Sequence, residues 1–600
     1  MEYNLLNHTT PEYPEETINL VMENRGYDQQ DLEDFLNPKN KNELDNELNC
    51  MQIREFTSFC RTIGHHNRSG HAVLIIVDAD ADGFTSGAMM YQLLKDNFKG
   101  FSEINYFVHS VKSHGITEEV MEHLEERMMD GRTYDLVIVP DAGSNNIEEF
   151  KQLRENHIEV LILDHHETDN TFEDFDLSLV NNQLIDSISN HYVGAGMVYL
   201  MAKYMEQHSL QVQKGYSDKL LPLFLIGQIG DASDISQPEL RYQINKALNE
   251  FKEHNEFIHY YATHEMPRVL SFRDLSFTLI PKINAVSRVG TLEERKALFE
   301  ALASFDHPEK ITVTRTVVDK LTKKRPKKEV EVDYYNETAH MLGRVKNRQD
   351  ALKKKHHKLL MESIDTSYGI AIATSDEMKI ASLTGLVANE ISKSIGKPTL
   401  VLIDNGESDT VFGSGRGFED VLPDFKQWVN DSGLANFAEG HANAFGTEIK
   451  RENLSKLLEH SNGLERMDGV KDVDIHFTNA YEVQKHLIAL HKYTNVFGGE
   501  LKEPTLLIDV TVPKASIKRR GTVISFWIYG VTYTIFKQNE EVFDKMMNIE
   551  GDEIFCQIIG FGSVGEFNGQ SRPEVVVSDF NYEEKETLGF GEDTELEDLF

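Results

Sequence analysis

Residues 72–83 read Ala-Val-Leu-Ile-Ile-Val-Asp-Ala-Asp-Ala-Asp-Gly, six apolar residues running straight into three aspartates at every second position. A run of that length suits a strand covered on both faces rather than a helix. Other runs end in the same way. Leu136–Pro140 leads into Asp141-Ala142-Gly143, and Val160–Leu163 into Asp164-His165-His166. Leu223–Gly230, which fits a strand or a helix, leads into Asp231. Helical patterns separate these runs from His71 to about Arg288, so the expected fold class is α/β, with a parallel sheet built from βαβ units.

Ligands of such sheets bind outside the carboxyl ends of the strands, which would bring these acidic and imidazole groups to one edge. On an extended backbone Asp78, Asp80 and Asp82 would all point the same way. Crowded carboxylates repel one another unless cations neutralise them. A carboxylate-rich set with one or two imidazoles suits Mn²⁺ or Mg²⁺ better than a tetrahedral zinc. The pattern predicts a site for two ions that hydrolyses a phosphate ester. Taken singly, each piece has a plainer reading, since Asp after a strand is commonly a turn or N-cap residue and His165-His166 alone would be surface or capping histidines. A calcium loop opening at Asp78 would need a glutamate where Met89 stands. Four clusters, each ending an apolar run, favour the metal reading.

Working outward, the first 70 residues read as short helices, with a stop at Phe35-Leu36-Asn37-Pro38. Residues 71–300 form the expected metal-binding domain, and residues 301–365 a long, basic, helical connector broken near Pro326. Within it, Ile311–Leu360 carries 14 Lys and Arg against 6 Asp and Glu, including Lys323-Lys324-Arg325-Pro326-Lys327-Lys328 and Lys353-Lys354-Lys355-His356-His357-Lys358. A second α/β domain over 366–455 begins with strand Gly369–Ala373, helix Ala381–Ile395 and strand Thr399–Ile403. After a linking segment, 456–504, the short β-branched and aromatic runs Leu506–Val512, Val523–Tyr529, Thr532–Phe536, Glu553–Ile559 and Glu574–Val577 predict a small five-stranded barrel over 505–582. Residues 583–600 form an acidic tail.

The 600 residues are enough for about four domains. A net charge of −38 argues against a protein that coats nucleic acid nonspecifically. Cys50, Cys60 and Cys556 are too few for a disulfide framework or a Cys-rich zinc site and suit a reducing compartment. The opening MEYNLLNHTTPEYPEE has no apolar core, and no apolar run is long enough to span a bilayer. The expectation is a cytoplasmic, monomeric, multidomain protein.

The motifs Val77-Asp-Ala-Asp-Ala-Asp-Gly-Phe-Thr-Ser86, Asp141-Ala-Gly143, Asp164-His-His166 and Gly230-Asp231 resemble those of the DHH phosphoesterase superfamily. Phe35-Leu-Asn-Pro38, Gly194-Ala-Gly196, Pro281-Lys-Ile-Asn-Ala-Val-Ser-Arg288, Gly413-Ser-Gly-Arg416 and Gly440-His-Ala-Asn-Ala444 extend the resemblance, from about residue 30 to 580, to its RecJ-like single-strand-specific exonucleases. The resemblance implies that Asp80, Asp82, Asp141, His165 and Asp231 bind metal. Asp78 and Asp164 would orient those ligands or bind directly, and His166 would lie close to the metals or the scissile phosphate. Asn284, Arg288, Ser414, Arg416 and His441 fall on motifs that in the family face the substrate backbone. It also implies a smaller DHHA1-type second domain, a C-terminal OB-fold that holds single-stranded DNA, 5′→3′ polarity, and a role in DNA recombination, repair or replication. Three positions depart from common family patterns: Ile76-Val77 before the first Asp, Gly415-Arg416, and Glu439-Gly440-His441. None removes a metal ligand.

The segment Gly413–Gly417 is read as a loop, either a plain turn or a phosphate cradle beside the Arg416 guanidinium; it lacks the Gly-Lys-Ser/Thr of a Walker loop. In the barrel, Lys518, Arg519 and Arg520 with Trp527 suit backbone tracking and base stacking. The tail Gly591–Phe600, with five acids and the apolar Leu596, Leu599 and Phe600, suits a single-strand-binding or replication protein as partner. Competing readings are a phosphodiesterase of short oligoribonucleotides or cyclic dinucleotides, a family II pyrophosphatase, and a non-catalytic DNA-binding scaffold. The barrel and N-terminal segment argue against the first two, and the retained ligands against the third.

Overall fold

Along strand Ala72–Val77 the side chains divide between two cores. Val73, Ile75 and Val77 enter one with helix Ala81–Asn97, while Ala72, Leu74 and Ile76 enter another with Val120, Leu124, Phe150 and Leu153 from helices Glu118–Met129 and Ile147–Glu155. Burial on both faces explains the unbroken apolar run, and each such side chain contributes about 1.5–3 kcal/mol. In this computed structural model the described residues are 3–7, 10–36, 54–208, 211–234, 238–266, 271–316, 327–406, 408–464, 471–498, 501–536, 540–567 and 570–584. Asn37, Pro38, Cys50, Lys323–Pro326 and the acidic tail from residue 585 on lie outside them, residues 583 and 584 belonging to strand Gln570–Glu584.

The strands Glu103–Val108, Ala72–Val77, Leu136–Pro140, Glu159–Asp164 and Leu179–Asn181 form, in that order, a five-stranded sheet in which every pair is parallel. Their carboxyl ends share one edge, and the aspartate motifs follow them. Leu221–Gly230 is a helix, so Asp231 reaches that edge from a helix C-terminus.

The chain divides into two compact units, Asn37–Met467 and Met1–Leu36 with Asp468–Phe600. The larger unit holds the parallel sheet and a second five-stranded sheet, ordered Ala435–His441, Ala444–Lys450, Thr410–Arg416, Thr399–Ile403, Ala371–Ser375. Between them the expected helical connector is corrected. Its first part is an antiparallel hairpin, Lys310–Thr316 with Lys327–Asp333, and only Tyr334–Met361 is helix. The period-two pairs Ile311↔Val332 and Val313↔Val330 decide for strand despite the helix-favouring lysines. The Gly413–Gly417 loop is also corrected, because Gly413–Arg416 lie inside strand Thr410–Arg416, flanked by antiparallel neighbours. A Cβ at Gly413 would lie 2.1 Å from the Val401 carbonyl oxygen, and one at Gly415 2.3 Å from the Phe445 ring. These glycines serve close packing, not a turn.

In the smaller unit the expected N-terminal segment is divided. Tyr3–Leu5 pairs with Lys471–Val473, and Ile18, Val21, Met22 and Phe35 share a core with the C-terminal strands, whereas helix Arg54–Ser69 packs Phe56, Phe59 and Ile63 into the larger unit. All five runs expected to form the barrel are strands. They join Ile475–Phe477 and Lys518–Arg520 in a seven-stranded mixed sheet, and among the described residues no pairing closes it. Cys60 and Cys556 are free and buried. Among the described residues no helix is long and apolar enough to cross a membrane.

Candidate metal centre and its flanking cations

Asp78 directly follows its strand, while Asp80 already caps the next helix, accepting the Gly83 N–H at 3.0 Å, and Asp82 sits in that helix's first turn. The three therefore do not line one extended face. Buried Asp78 turns to the loop after strand Glu103–Val108, accepting from His114 Nδ1 at 2.5 Å and the Gly115 N–H at 3.0 Å. Asp82 turns the other way and accepts the Gly194 and Ala195 N–H groups, at 2.6 and 2.8 Å, from the first turn of helix Gly194–Gln207. That helix end favours a carboxylate by its dipole as well as its free amides.

Asp82 meets the other motifs around His165. His165 Nε2 lies 3.2 Å from Asp141 Oδ1 and 3.8 Å from one oxygen each of Asp82 and Asp231. Asp141 is held in left-handed backbone, φ 68°, and its buried Oδ1 makes no hydrogen bond. Asp164 stands behind the imidazoles. It accepts from the Ser144 N–H at 3.0 Å, the His165 N–H at 2.8 Å and His166 Nδ1 at 2.8 Å. Burial opposes its ionisation, but His166 and these partners outweigh that and hold Asp164 well below the ordinary carboxylate range. Burial alone would likewise discharge His166; Asp164 reverses this and pushes it up to about 10.

Whether these residues suit a divalent cation is decided by charge and space. Burial, only partly offset by His165, pushes Asp82 up to about 6, and burial with the Asp80 charge does the same for Asp231. Burial and the charges of Asp82, Asp80 and Asp78 push Asp141 well above its ordinary range. Glycines make the room, since a Cβ on Gly194 would lie 2.2 Å from Asp141 Oδ1, and one on Gly227 2.4 Å from Asp82 Oδ1. Buried carboxylates short of positive charge, an oxygen without a hydrogen bond and a side-chain-free cradle fit a hard cation. Among the described residues possible ligand atoms gather within 4.8 Å in three groups. Two lie at this edge, Asp141, Asp164, His165 and His166 in one and Asp78, Asp80 and His114 in the other, and a third lies elsewhere, at Glu250, Glu253 and His254.

Cations flank the second group. Burial tends to keep Asp80 protonated, but His114, Lys112, the Gly83 N–H and His166 together hold it below its ordinary range. Burial lowers Lys112, with Asp80 opposing and Arg288 adding to the effect; Arg416 is lowered by burial and then by Arg288. Lys112, Arg288 and Arg416 thus share one electrostatic neighbourhood with Asp80. The other expected substrate residues stand elsewhere or have protein partners. Asn284 Oδ1 accepts the Ala81 N–H at 3.0 Å, Ser414 Oγ lies 2.9 Å from Thr384 Oγ1, and His441 is exposed at a strand end. In the smaller unit, register puts Lys518, Arg520 and Trp527 on one outer face, whereas Arg519 takes the opposite face and pairs with Glu540 at 3.0 Å.

Residues 72–228 match the N-terminal domain of the DHH family. That segment is a DHH domain. It is 28% identical over 597 residues, covering 96% of this chain and 97% of the other, to a protein of Bacillus subtilis named as an SPbeta prophage-derived single-strand DNA-specific exonuclease. It is 22% identical to the single-stranded-DNA-specific exonuclease RecJ of the same species, over 84% of this chain and 61% of RecJ. Its fold matches that of RecJ from Thermus thermophilus, solved in complex with Mn²⁺, with TM-score 0.67 and 18% identity, over 94% of this chain and 75% of that one. Lys112 and His114 were missed in the sequence because their strand ends in His-Ser-Val-Lys-Ser-His-Gly rather than in aspartate. The available signal was the shared strand edge.

Proposed function

We propose that this protein is a DHH-family exonuclease that hydrolyses single-stranded DNA to mononucleotides with two divalent cations, Mn²⁺ or Mg²⁺. The observation that carries this reading is the group His165, Asp82, Asp141 and Asp231, with Asp82 and Asp141 buried and the other two partly so, short of positive charge and cradled by glycine, beside a cluster of cations. The names of the relatives supply the substrate class, and the place in DNA recombination, repair or replication is what the family resemblance implies.

In this reading Asp80, Asp82, Asp141, His165 and Asp231 hold the ions, with Asp78 and Asp164 fixing the residues around them. Bound there, the cations would supply a hydroxide at neutral pH and neutralise charge on the phosphate. Asp164 keeps His166 protonated on a half-exposed ring, which places a proton at the site's mouth for the departing oxygen. Arg288 and Arg416 grip the phosphate, with Lys112 adding charge. On the smaller unit, read as the family's OB-type module, Trp527 (64% exposed) offers a stacking face and Lys518 and Arg520 track the backbone.

The decisive experiment digests strands labelled at either end with Mn²⁺, against duplex DNA, RNA and dinucleotides. Labelled mononucleotide released first from the 5′ end supports the assignment and its polarity. Turnover of dinucleotides alone would move the chain to the small-substrate phosphodiesterases, and no turnover at all would favour a binding scaffold.

A further inference from the structure

Within four consecutive residues of the second α/β domain, Ser382–Gly385, three adjoin the two proposed phosphate-gripping arginines and Ser414, which stands two residues before Arg416. Ser382 Oγ donates to the Arg288 carbonyl oxygen at 2.8 Å. Thr384 Oγ1 lies 2.9 Å from Ser414 Oγ. Gly385 leaves the space that the Arg416 guanidinium occupies, since a Cβ there would lie 2.5 Å from Nη2 and 3.0 Å from Cζ. Leu383, fully buried with Val387, Ala388 and Ile391, anchors the segment in its own domain's core. From the other side, Val289 packs against both this core and that of the parallel-sheet domain.

The turn that Ser382 grips is itself fixed. Arg295, 3% exposed, donates Nε to the Val286 carbonyl oxygen at 3.3 Å, Nη2 to that of Ser287 at 2.7 Å and Nη1 to that of His109 at 2.7 Å. Arg348 Nη2 donates to the Val289 carbonyl oxygen at 2.7 Å. The carbonyls of Ser287, Arg288 and Val289 at the end of helix Ile280–Val289 are therefore taken up by side chains from three other elements, while that of Val286 also accepts the Gly290 N–H.

We propose that Ser382, Thr384 and Gly385 are positioning residues that set Arg288, Ser414 and Arg416 in register as one phosphate grip. The inference rests on the reading that Arg288 and Arg416 hold substrate phosphate. Two guanidiniums repel, so without an imposed register they would drift apart when no anion is bound. A hydroxyl on the backbone of one and a missing side chain beside the other hold the spacing before DNA arrives.

Gly385→Ala is the sharpest test. Gly385 lies in helix Thr384–Ile395 and not in left-handed backbone, so alanine suits the helix and the collision falls only on the mobile end of Arg416. The variant should melt at the parent temperature or above, yet lose on the order of tenfold in kcat on end-labelled single-stranded DNA, because one charge-assisted contact is displaced. The KM for long strands should change less than about twofold, since distributed contacts supply binding. Combined with Arg416→Ala, Gly385→Ala should add no further loss. Ser382→Ala should lower kcat about fivefold and Ser382→Thr restore it, as expected of one lost hydroxyl contact. Parent-like kcat in Gly385→Ala beside an impaired Arg416→Ala would overturn the positioning role alone. Parent-like kcat in Arg416→Ala would overturn the phosphate-grip reading and this inference with it.

Discussion

Asp82 and His165 show what a single residue decides at this centre. Each lies with Asp141 at the buried strand edge, and neither belongs to the outer face that carries Trp527. Asp82→Ala or His165→Ala should abolish hydrolysis while single-strand binding, followed by anisotropy, persists; near-normal turnover in either folded variant would reject the metal assignment. Protons and cations should compete for the same carboxylates. Asp82 and Asp231 rise from 3.8 to about 6 on folding, so their contribution favours the fold below pH 3.8 and is lost as pH climbs through about 6. A cation takes over from those protons. The rise in melting temperature produced by Mn²⁺ should therefore be small near pH 5 and larger near pH 7.5. A rise of equal size at both values would contradict the linkage. These residues were legible because an apolar run ending in carboxylates carries two signals at once. Lys112 and His114 were not, because a lysine and a histidine in a loop acquire meaning only from Asp78 and Asp80 across the edge.

At the scale of elements, periodicity decided what could be read. The unbroken run Ala72–Val77 marked a strand covered twice, and all five C-terminal runs are strands. The strand pair Lys310–Thr316 and Lys327–Asp333 was missed because its lysines favour helix while its β-branched pairs become visible only in register. Gly413 and Gly415 suggested a loop by composition, but the Val401 carbonyl and the Phe445 ring that exclude a side chain come from other strands. Helix Gly194–Gln207 gives a sharper case. Its first two amides hold Asp82, and its first Cα faces Asp141 without a side chain. Gly194→Ala should keep the helix, because alanine suits it, though at some cost in stability, since the new Cβ would lie 2.4 Å from Asp141 Cβ. It should nevertheless cut hydrolysis by on the order of a hundredfold and weaken Mn²⁺ binding by calorimetry, since short, buried Asp141 has little room to retreat. Unaltered Mn²⁺ affinity would show that this cradle is not the ion's seat.

For the whole molecule, the two ends of the sequence form one unit. Tyr3–Leu5 pairs with Lys471–Val473, Arg25 Nη2 donates to Asp474 Oδ2 at 3.1 Å, and Thr17 Oγ1 meets His486 Nδ1 at 2.7 Å. Contacts separated by more than 440 residues in sequence leave no local pattern, so the first 70 residues could only be read as one segment. Ile18, Leu20, Val21, Met22, Leu32 and Phe35 are buried in the core that also holds Leu506, Ile508 and Val510. At about 1.5–3 kcal/mol each, those six side chains contribute on the order of 10 kcal/mol, comparable with the net stability of a domain. Removing residues 1–36 should therefore unfold the C-terminal sheet and leave the carboxylate centre standing in Asn37–Met467. Calorimetry should show the loss of one transition. Mn²⁺-dependent cleavage of short oligonucleotides should survive, while affinity for long strands falls because Lys518, Arg520 and Trp527 lose their common face. A truncated chain that keeps both transitions and full affinity for long strands would show that the C-terminal sheet stands without its N-terminal partner.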